Sequence, residues 1–327
     1  MSEPPRIAPS VLANVRPIIR RIDALNASPN AAPIRKQHLI SVVLLKRSSV
    51  AKPKGLELRS YDLKFDQSKL RPPETVGWSS EFVSFRSQIA EQLWSTTENR
   101  LNDALLAVDS GSIFKEPELV AVIKDAMILH FVRSPETHRA HIASWRSAEK
   151  HSRNQLMRDP SWLLAIALQE RGIGWTMTHS ANDVADMLLA ESRSAFQSGA
   201  LFQSSLERLF AKLRATGARS HLEISICEAG DFVLADNPAL SFTSSRKWPR
   251  VPFGDAGTIA MPLGPHVIAS LGPFDKIQQV DETIAQRVNE VAVSQSTRHL
   301  FFHPGSNLDE SIRELNARLG RLRPPLE

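Results

Sequence analysis

Glu91, Trp94 and Glu98 stand at helical spacing in a stretch that we predict to be a long helix. Separations of three and four residues place all three side chains near one helix face. Two carboxylates on one face can hold a divalent metal ion, or they can divide the roles of general acid and general base. The same pattern also fits a solvated helix edge with Trp94 packed beside it, so both interpretations stay open.

A histidine and an arginine stand at the end of the next predicted helix. His130 and Arg133 are three residues apart and therefore lie close together. Histidine can transfer protons near neutral pH, and a planar guanidinium can hold a phosphate or an oxyanion. The structural alternative is a helix C-terminus that favours cations. His38, early in the first predicted strand, is another candidate for proton transfer, and a hydrogen-bonded core histidine is its alternative.

A further carboxylate follows a short apolar run. Asp236 and Asn237 end the predicted strand Phe232–Ala235 and precede Pro238. A carboxylate at a strand end can project into a cleft, although the same residue types also close strands through turns. The predicted divalent site, for Mg²⁺ or Mn²⁺, consists of Glu91, Glu98 and Asp236. The predicted catalytic residues are His38, Glu91, Glu98, His130, Arg133, Asp236 and Asn237.

The first sixty residues are strongly basic. They contain eleven Lys and Arg residues against three acidic ones, a net charge of +8, whereas the whole chain carries +5. A basic arm on a near-neutral body attracts polyanions such as nucleic acid, and a solvated terminus is the alternative. The predicted polyanion-binding residues are Arg35, Lys36, Lys46, Arg47, Lys52 and Lys54.

The composition is that of a globular protein, with 327 residues, 42% of them hydrophobic and 23% charged. The single cysteine, Cys227, excludes a disulfide framework and argues against a Cys-based zinc site. No apolar run approaches the roughly 18 residues of a membrane helix, and the first residues lack a secretory core, so we expect a cytoplasmic protein. Walker, G-x-G-x-x-G and G-x-S-x-G motifs are absent from the sequence, which argues against P-loop hydrolases, Rossmann cofactors and the usual serine hydrolases.

Hydrophobic patterning before residue 135 predicts strands followed by helices. Gln37–Leu45 is rich in β-branched and aliphatic residues, which is typical of a buried strand. With Leu56–Phe65 it would form an antiparallel hairpin around a basic loop. Glu81–Val108 carries a helical apolar stripe, and Glu116–Arg133 is predicted to be a second helix.

Helices, strands and helices follow in the second half of the chain. The order of the elements indicates an α+β fold, predominantly helical with a central mixed or antiparallel sheet. We predict a proline-rich basic arm over residues 1–34 and a single domain over residues 35–327. The predicted elements are helices Trp162–Gln169, Asp183–Thr216 (broken near Gly199), Asp281–Arg298 and Ser306–Leu319, and strands His221–Cys227, Phe232–Ala235, Thr258–Met261, Val267–Leu271 and Leu300–His303.

Several short motifs, taken in order, resemble an uncharacterised bacterial family, a domain of unknown function. The first is RKQHLISVVLLKR from residue 35, and EQLWSTTEN follows from residue 91. LHFVRS from residue 129, LADNPA from residue 234, MPLGP from residue 261 and RHLFF from residue 298 complete the series. The resemblance spans roughly residues 35–303. It implies a shared fold and a set of candidate residues, and it implies no reaction.

Two functions remain open at this point. The first is an intracellular, nuclease-like enzyme of toxin or defence type that acts on a phosphate-bearing polymer. In it the carboxylates bind metal or share acid and base roles, a histidine moves the proton and Arg133 steadies the phosphate. The alternative is a non-enzymatic module that binds nucleic acid or an acidic partner, with the polar motifs forming a structural network.

Overall fold

A computed structural model describes residues 34–85, 87–159, 180–243 and 250–320. The predicted arm before residue 34 and the predicted helix Trp162–Gln169 lie outside these ranges. Within them, no helix is both long and apolar enough to cross a membrane. Contacts divide the chain into two compact units, the smaller built around residues 138–205 and the larger from most of the other described residues. The single domain expected from residue 35 onward stays a prediction.

The larger unit begins with short strands around one small helix. Strand β1 pairs with β5 in a two-stranded antiparallel sheet, and β2 forms a hairpin with β3. The elements are β1 (Lys36–His38), α1 (Val42–Arg47), β2 (Val50–Lys52), β3 (Gly55–Asp62), β4 (Gln67–Arg71) and β5 (Trp78–Ser80).

Helices occupy the middle of the chain. Pro117 begins α4, because proline is tolerated in the first helical turn. The helices are α2 (Ser87–Glu98), α3 (Leu101–Asp109), α4 (Pro117–Val132), α5 (Pro135–Arg158), α6 (Ala181–Gln197) and α7 (Ala200–Gly217).

The last third of the chain returns to the larger unit and supplies most of its strands. These are β6 (His221–Ile226), β7 (Leu234–Ala235), β8 (Leu240–Phe242), β9 (Thr258–Gly264), β10 (Val267–Gly272), β11 (Lys276–Gln279) and β12 (His299–Phe302). Helix α8 (Glu282–Gln295) precedes β12, and α9 (Leu308–Gly320) follows it.

Two five-stranded sheets form from these strands. One has the order β11-β6-β10-β9-β8 and is mixed, because β11 runs parallel to β6 while the other pairs are antiparallel. The other has the order β2-β3-β12-β7, with β4 also paired to β3, and is antiparallel. Helices and sheets follow one another along the chain, so the predicted α+β class is confirmed.

The predicted strand Gln37–Leu45 is wrong. Only its first residues are extended, and after Ser41 the chain turns into α1. Leu44 and Leu45 become fully buried in this helix, with exposures of 1% and 0%. Burial of one helix face therefore outweighs the β-preference of the two valines, which is a weak local bias.

The predicted helix Glu81–Val108 is wrong at its start and in its middle. Ser80 belongs to β5, where it pairs with Lys36, and the helix begins only at Ser87. It ends after Glu98, and α3 starts a new helix at Leu101. The break at Asn99 and Arg100 leaves Glu98 in the last turn of α2.

The smaller unit packs α5 against α6 through aliphatic side chains, with Leu156, Val184 and Leu188 buried between them. Helix α6 ends at Gln197 and α7 begins at Ala200, so the predicted break near Gly199 is confirmed. Gly199 has a φ of +83°, a conformation that favours glycine and ends the helix.

Two side-chain amides of α8 form hydrogen bonds with backbone N–H and C=O groups of neighbouring segments. The buried Gln295 accepts a bond from Ser241 N at 3.0 Å and donates one to Ser241 O at 2.6 Å. The buried Asn289 accepts from Val233 N at 2.8 Å and donates to Asp231 O at 2.8 Å. These four bonds fix the helix against β8 and against the segment that leads into β7.

We expect Gln295→Ala to lower the free energy of unfolding by about 2–4 kcal/mol, because it leaves both backbone groups of Ser241 buried without partners. Gln286→Ala, on an exposed position of the same helix, is the control and should change it by less than about 0.5 kcal/mol. Urea unfolding measures both. Equal changes in the free energy of unfolding for the two variants would contradict the stabilising role of the Gln295 bonds.

Candidate active site

A buried ion pair lies where α2 and α4 end. Arg133 caps α4 and is 1% exposed, and its Nη2 lies 2.5 Å from Glu98 Oε1. Trp94, one turn before Glu98, stacks under the guanidinium, with its ring centre 4.8 Å from Arg133 Cζ. The predicted helical spacing of Trp94 and Glu98 is therefore confirmed, and it gives one arginine both a charge partner and an aromatic partner.

Ser41, just before α1, connects this pair to His130. Ser41 N donates to His130 Nε2 at 3.0 Å, and the other ring nitrogen, Nδ1, donates to Ala126 O at 2.7 Å. Ser41 Oγ donates to Glu98 Oε1 and lies 3.0 Å from His130 Nε2. Burial, and then the charge of Arg133, lower the pKa of His130 to about 4. His130 is thus a neutral acceptor that holds the start of α1.

The Glu98 carboxylate is held in its ionised form. Burial alone would raise the pKa of Glu98, but the charge and hydrogen bond of Arg133 and the bond from Ser41 outweigh it, so the pKa is lowered. The side chain of Glu98 remains 26% exposed. It is the more solvent-accessible member of the ion pair.

Three polar atoms around this ion pair are buried and have no hydrogen-bond partner in the described parts of the chain. They are His38 Nε2, Glu91 Oε1 and Arg133 Nε. The charges of Arg133 and Glu98 act on the pKa values of both His38 and Glu91, so the four residues lie within electrostatic range of one another. Native proteins satisfy the large majority of such atoms. We define the charged cluster as His38, Ser41, Glu91, Trp94, Glu98, His130 and Arg133.

Burial shifts the two ionisable groups at the edge of the charged cluster in opposite directions. It lowers the pKa of His38, and the charges of Lys36 and Arg133 act in the same direction. It raises the pKa of Glu91, which Arg133 opposes and Glu98 supports. Both shifts favour neutral side chains. A carboxyl and an imidazole with converging pKa values are typical of acid–base pairs.

The structure does not bring Asp236 to the charged cluster. Its carboxylate accepts four hydrogen bonds at 2.7–2.9 Å, from Ser296 Oγ and from the backbone N–H groups of Thr297, Arg298 and His299. These bonds close the turn between α8 and β12. Asp236 therefore closes a turn, which is the structural alternative given for it in the sequence analysis.

The side chain of Asn237 also bonds to this turn. It is fully buried, and its Nδ2 donates to Gln295 O at 2.7 Å and to Thr297 Oγ1 at 3.2 Å. The predicted metal ligands Glu91, Glu98 and Asp236 are consequently not gathered. Across the described ranges, no three or more His, Cys, Asp or Glu side chains form a group that could hold a metal ion.

Three of the predicted polyanion-binding residues have structural partners, and Lys36 is one of them, because its Nζ donates to Glu74 O at 3.0 Å. Arg47 makes a two-bond ion pair with Asp109, at 2.6 and 2.7 Å, and donates from Nε to Leu263 O at 2.7 Å. Lys46 lies 3.3 Å from Glu74. The bidentate geometry of Arg47 commits its guanidinium to the fold.

Lys36 and the remaining predicted basic residues are exposed. Lys52 ends β2, and Lys54 lies in the turn between β2 and β3. Lys36 lies over the ring of Trp78 at 4.9 Å, and Arg35 precedes β1. Their binding of a polyanion stays a prediction.

Ser41 was missed by the sequence analysis, because the incorrect strand over Gln37–Leu45 gave it no special position. Its signal is local. A serine before an aliphatic run is a frequent helix start, and here its backbone N–H and hydroxyl contact the charged cluster instead of capping α1. His38 lies three residues earlier, so one short segment supplies two members of the cluster.

The chain belongs to the family described as "Protein of unknown function (DUF4238)", whose model matches residues 36–306. The resemblance to an uncharacterised domain family is thus confirmed. Comparison with curated proteins finds no match, and comparison with solved structures finds none either.

We expect the pH dependence of stability to report the neutral state of His130. The unfolded histidine takes up a proton near pH 6.5, whereas folded His130 does so only near 4. The wild type should therefore lose stability as pH falls from 6.5 to about 4, by on the order of 3 kcal/mol from this residue. His130→Gln removes that contribution and should give a flatter curve in urea unfolding.

The other histidines are the same in both proteins, so the difference between the two curves isolates His130. His151→Gln, at an exposed position of α5, is the matched control and should follow the wild type. Parallel curves for the wild type and His130→Gln between pH 4 and 6.5 would contradict the buried neutral imidazole.

Proposed function

We propose that this member of the DUF4238 family is a nuclease-like hydrolase that cleaves phosphodiesters in a phosphate-bearing polymer. The observation that carries the proposal is the set of unpaired buried atoms, His38 Nε2, Glu91 Oε1 and Arg133 Nε. Unpaired polar atoms cost free energy when buried, and they are tolerated where a ligand completes their hydrogen bonds. One base, one acid and one cation are the groups that phosphodiester hydrolysis needs.

The opposite pKa shifts support a division of roles between His38 and Glu91. Burial keeps the imidazole of His38 neutral, and a hydrogen bond with the Glu74 backbone occupies its other nitrogen. Nε2 can then accept a proton as a general base. Burial also extends the pH range in which Glu91 stays protonated, so that it can act as the general acid.

In the proposed reaction a water oxygen attacks phosphorus while His38 Nε2 removes a proton from that water. The bond from phosphorus to the leaving ester oxygen breaks, and Glu91 donates its proton to that oxygen. Afterwards the proton on His38 passes through solvent and restores the Glu91 carboxyl. No oxidant or reductant is consumed, and the products are a phosphomonoester end and a hydroxyl end.

Arg133 supplies the electrostatic part of the mechanism. Glu98 and Trp94 hold its guanidinium on two sides, so its position is fixed before substrate binds. Its Nε–H is free to donate to a phosphoryl oxygen. A preorganised cation opposes the negative charge that spreads over the phosphoryl oxygens in the transition state.

Part of the charged cluster is fully hydrogen-bonded, and we call it the closed half. It favours a second candidate, a non-enzymatic module that binds nucleic acid or an acidic partner. Ser41, Glu98 and His130 satisfy one another, as expected of a polar network that specifies a fold. In that case Glu91 and His38 would affect stability, while Lys52 and Lys54 would control a salt-dependent affinity.

The two candidates predict different results for Glu91→Gln. If the protein is a hydrolase, the wild type should cleave labelled RNA or DNA oligonucleotides. Their leaving oxygen needs a proton, so loss of the general acid should reduce kcat by about 10²–10⁴-fold. Glu228→Gln changes an exposed glutamate after β6 and should leave kcat unchanged. Thermal unfolding of each variant shows whether the fold is retained.

The pH profile of the same reaction tests the assignment of roles. We expect a bell-shaped profile, because the reaction needs His38 unprotonated and Glu91 protonated, and burial lowers the pKa of His38 and raises the pKa of Glu91. Glu91→Gln should lose the alkaline limb, and His38→Gln the acidic limb. A wild type inactive on all these substrates, or variants with unchanged kcat, would contradict the proposal and leave the binding module as the better account.

A further inference from the structure

A cleft with a volume of about 550 Å³ opens on one face of the antiparallel sheet, apart from the charged cluster. Three neighbouring strands form its floor, in the order β4, β3 and β12. The turn after β3 and the strand β5 form its sides. We call this the strand groove, and its main lining residues are Asp62, Phe65, Lys69, Arg71, Trp78 and Arg298.

Register and strand alternation produce this face. Ser60 pairs with Lys69 on one side and with Phe301 on the other, so the three side chains lie side by side. Alternate residues such as Tyr61 and Phe302 point to the opposite face and are fully buried in the core. The groove is therefore the open face of a sheet whose other face is packed.

Two large aromatic side chains stand exposed at the edges of the strand groove. Phe65 is 58% exposed and Trp78 is 43% exposed. Cationic groups lie beside both rings: Lys64 and Arg298 are 5.9 and 5.3 Å from Phe65, and Lys36 is 4.9 Å from Trp78. Exposed aromatic rings next to cations are typical of surfaces on which nucleic-acid bases stack.

The charge of the strand groove is positive. Lys69 and Arg71 are exposed and make no ion pair in the part of the chain that the structure describes. Asp62, the acidic lining residue, is paired with Arg298 at 2.8 Å. Burial lowers the pKa of His299 in the floor, so this ring adds no positive charge at neutral pH. Two free cations beside two aromatic rings complement a chain of alternating phosphates and bases.

We infer that the strand groove binds single-stranded nucleic acid, with bases stacked on Phe65 and Trp78 and phosphates held by Lys69 and Arg71. A single strand fits better than a duplex, because only an unpaired base exposes its face to a protein ring. Each base stacked on an aromatic ring adds an affinity that alanine substitution removes, and each neutralised phosphate makes binding more salt-dependent.

The strand groove is connected to the charged cluster by one pair of residues. Trp78 in β5 lies directly opposite His38 in β1 in the antiparallel register. A strand bound over Trp78 therefore runs beside the proposed general base. The identification of single-stranded nucleic acid as the substrate rests on the proposed function, whereas binding in the groove does not.

Binding is tested separately from cleavage by using Glu91→Gln protein and fluorescence anisotropy with labelled 12-nucleotide oligo-U and oligo-dT. We expect Phe65→Ala and Trp78→Ala, made in this background, each to weaken binding by about 5- to 100-fold. Phe274→Ala removes a 67% exposed phenylalanine outside the groove and is the matched control. Lys69→Gln and Arg71→Gln should each lower the slope of log affinity against log salt by about 0.7, whereas Lys52→Gln should not.

Comparison of oligo-U with oligo-dT shows whether the 2′-hydroxyl contributes to binding. A duplex of equal length and heparin serve as competitors. A single strand should bind at least tenfold more tightly than the duplex. Heparin, added at an equal concentration of negative charges, should not displace it. Equal binding of duplex, heparin and single strand, aromatic variants that bind like the wild type, or no binding of either strand would overturn the inference. Groove-dependent binding without cleavage by the wild type would refute the proposed function alone.

Discussion

The buried charge of Arg133 is the constraint on which the rest of the larger unit depends. A guanidinium that is 1% exposed needs a carboxylate partner, and Glu98 supplies it from the last turn of α2. Removing one partner of a buried pair commonly costs about 3–5 kcal/mol, since the remaining charge stays buried. The break between α2 and α3, the end of α4 and the start of α1 all meet at this pair. Ser41 donates to Glu98 and to His130, so the start of α1 is tied to the ends of α2 and α4 beside this one charge.

The same pair gives the candidate site its two halves. On the closed half every donor meets an acceptor, and His130 is neutral because burial and Arg133 both oppose its charge. On the open half His38, Glu91 and one nitrogen of Arg133 stay without partners among the described residues. The closed half is rigid and positions the arginine, whereas the open half carries an acid and a base without partners. Preorganised active sites show the same division. The strand groove lies next to the open half through the pairing of β1 with β5.

Local spacing predicted much of this arrangement, and long-range packing decided the rest. Helical periodicity placed Glu98 one turn after Trp94 and predicted that α4 would bring its final histidine and arginine together. Sequence could not show that Ser41 would meet His130, because 89 residues separate them and the contact depends on tertiary packing. The aliphatic run that follows Ser41 has the β-preference of a strand. It forms a helix because tertiary packing buries one helical face, which the sequence does not show. Asp236 looked like a site residue because the backbone N–H groups that it accepts from are invisible in a sequence.

The most direct test of the central claim, that the open half of the charged cluster is a ligand site governed by Arg133, is imidazole NMR during a titration with inorganic phosphate. His38 should titrate below 6.5 without phosphate, and its pKa should rise as the anion binds, because a negative charge favours the imidazolium. His130 should remain neutral above pH 5 with its signals unchanged. Resonances of His38 that do not respond to phosphate, or a response of equal size at His130, would contradict the account.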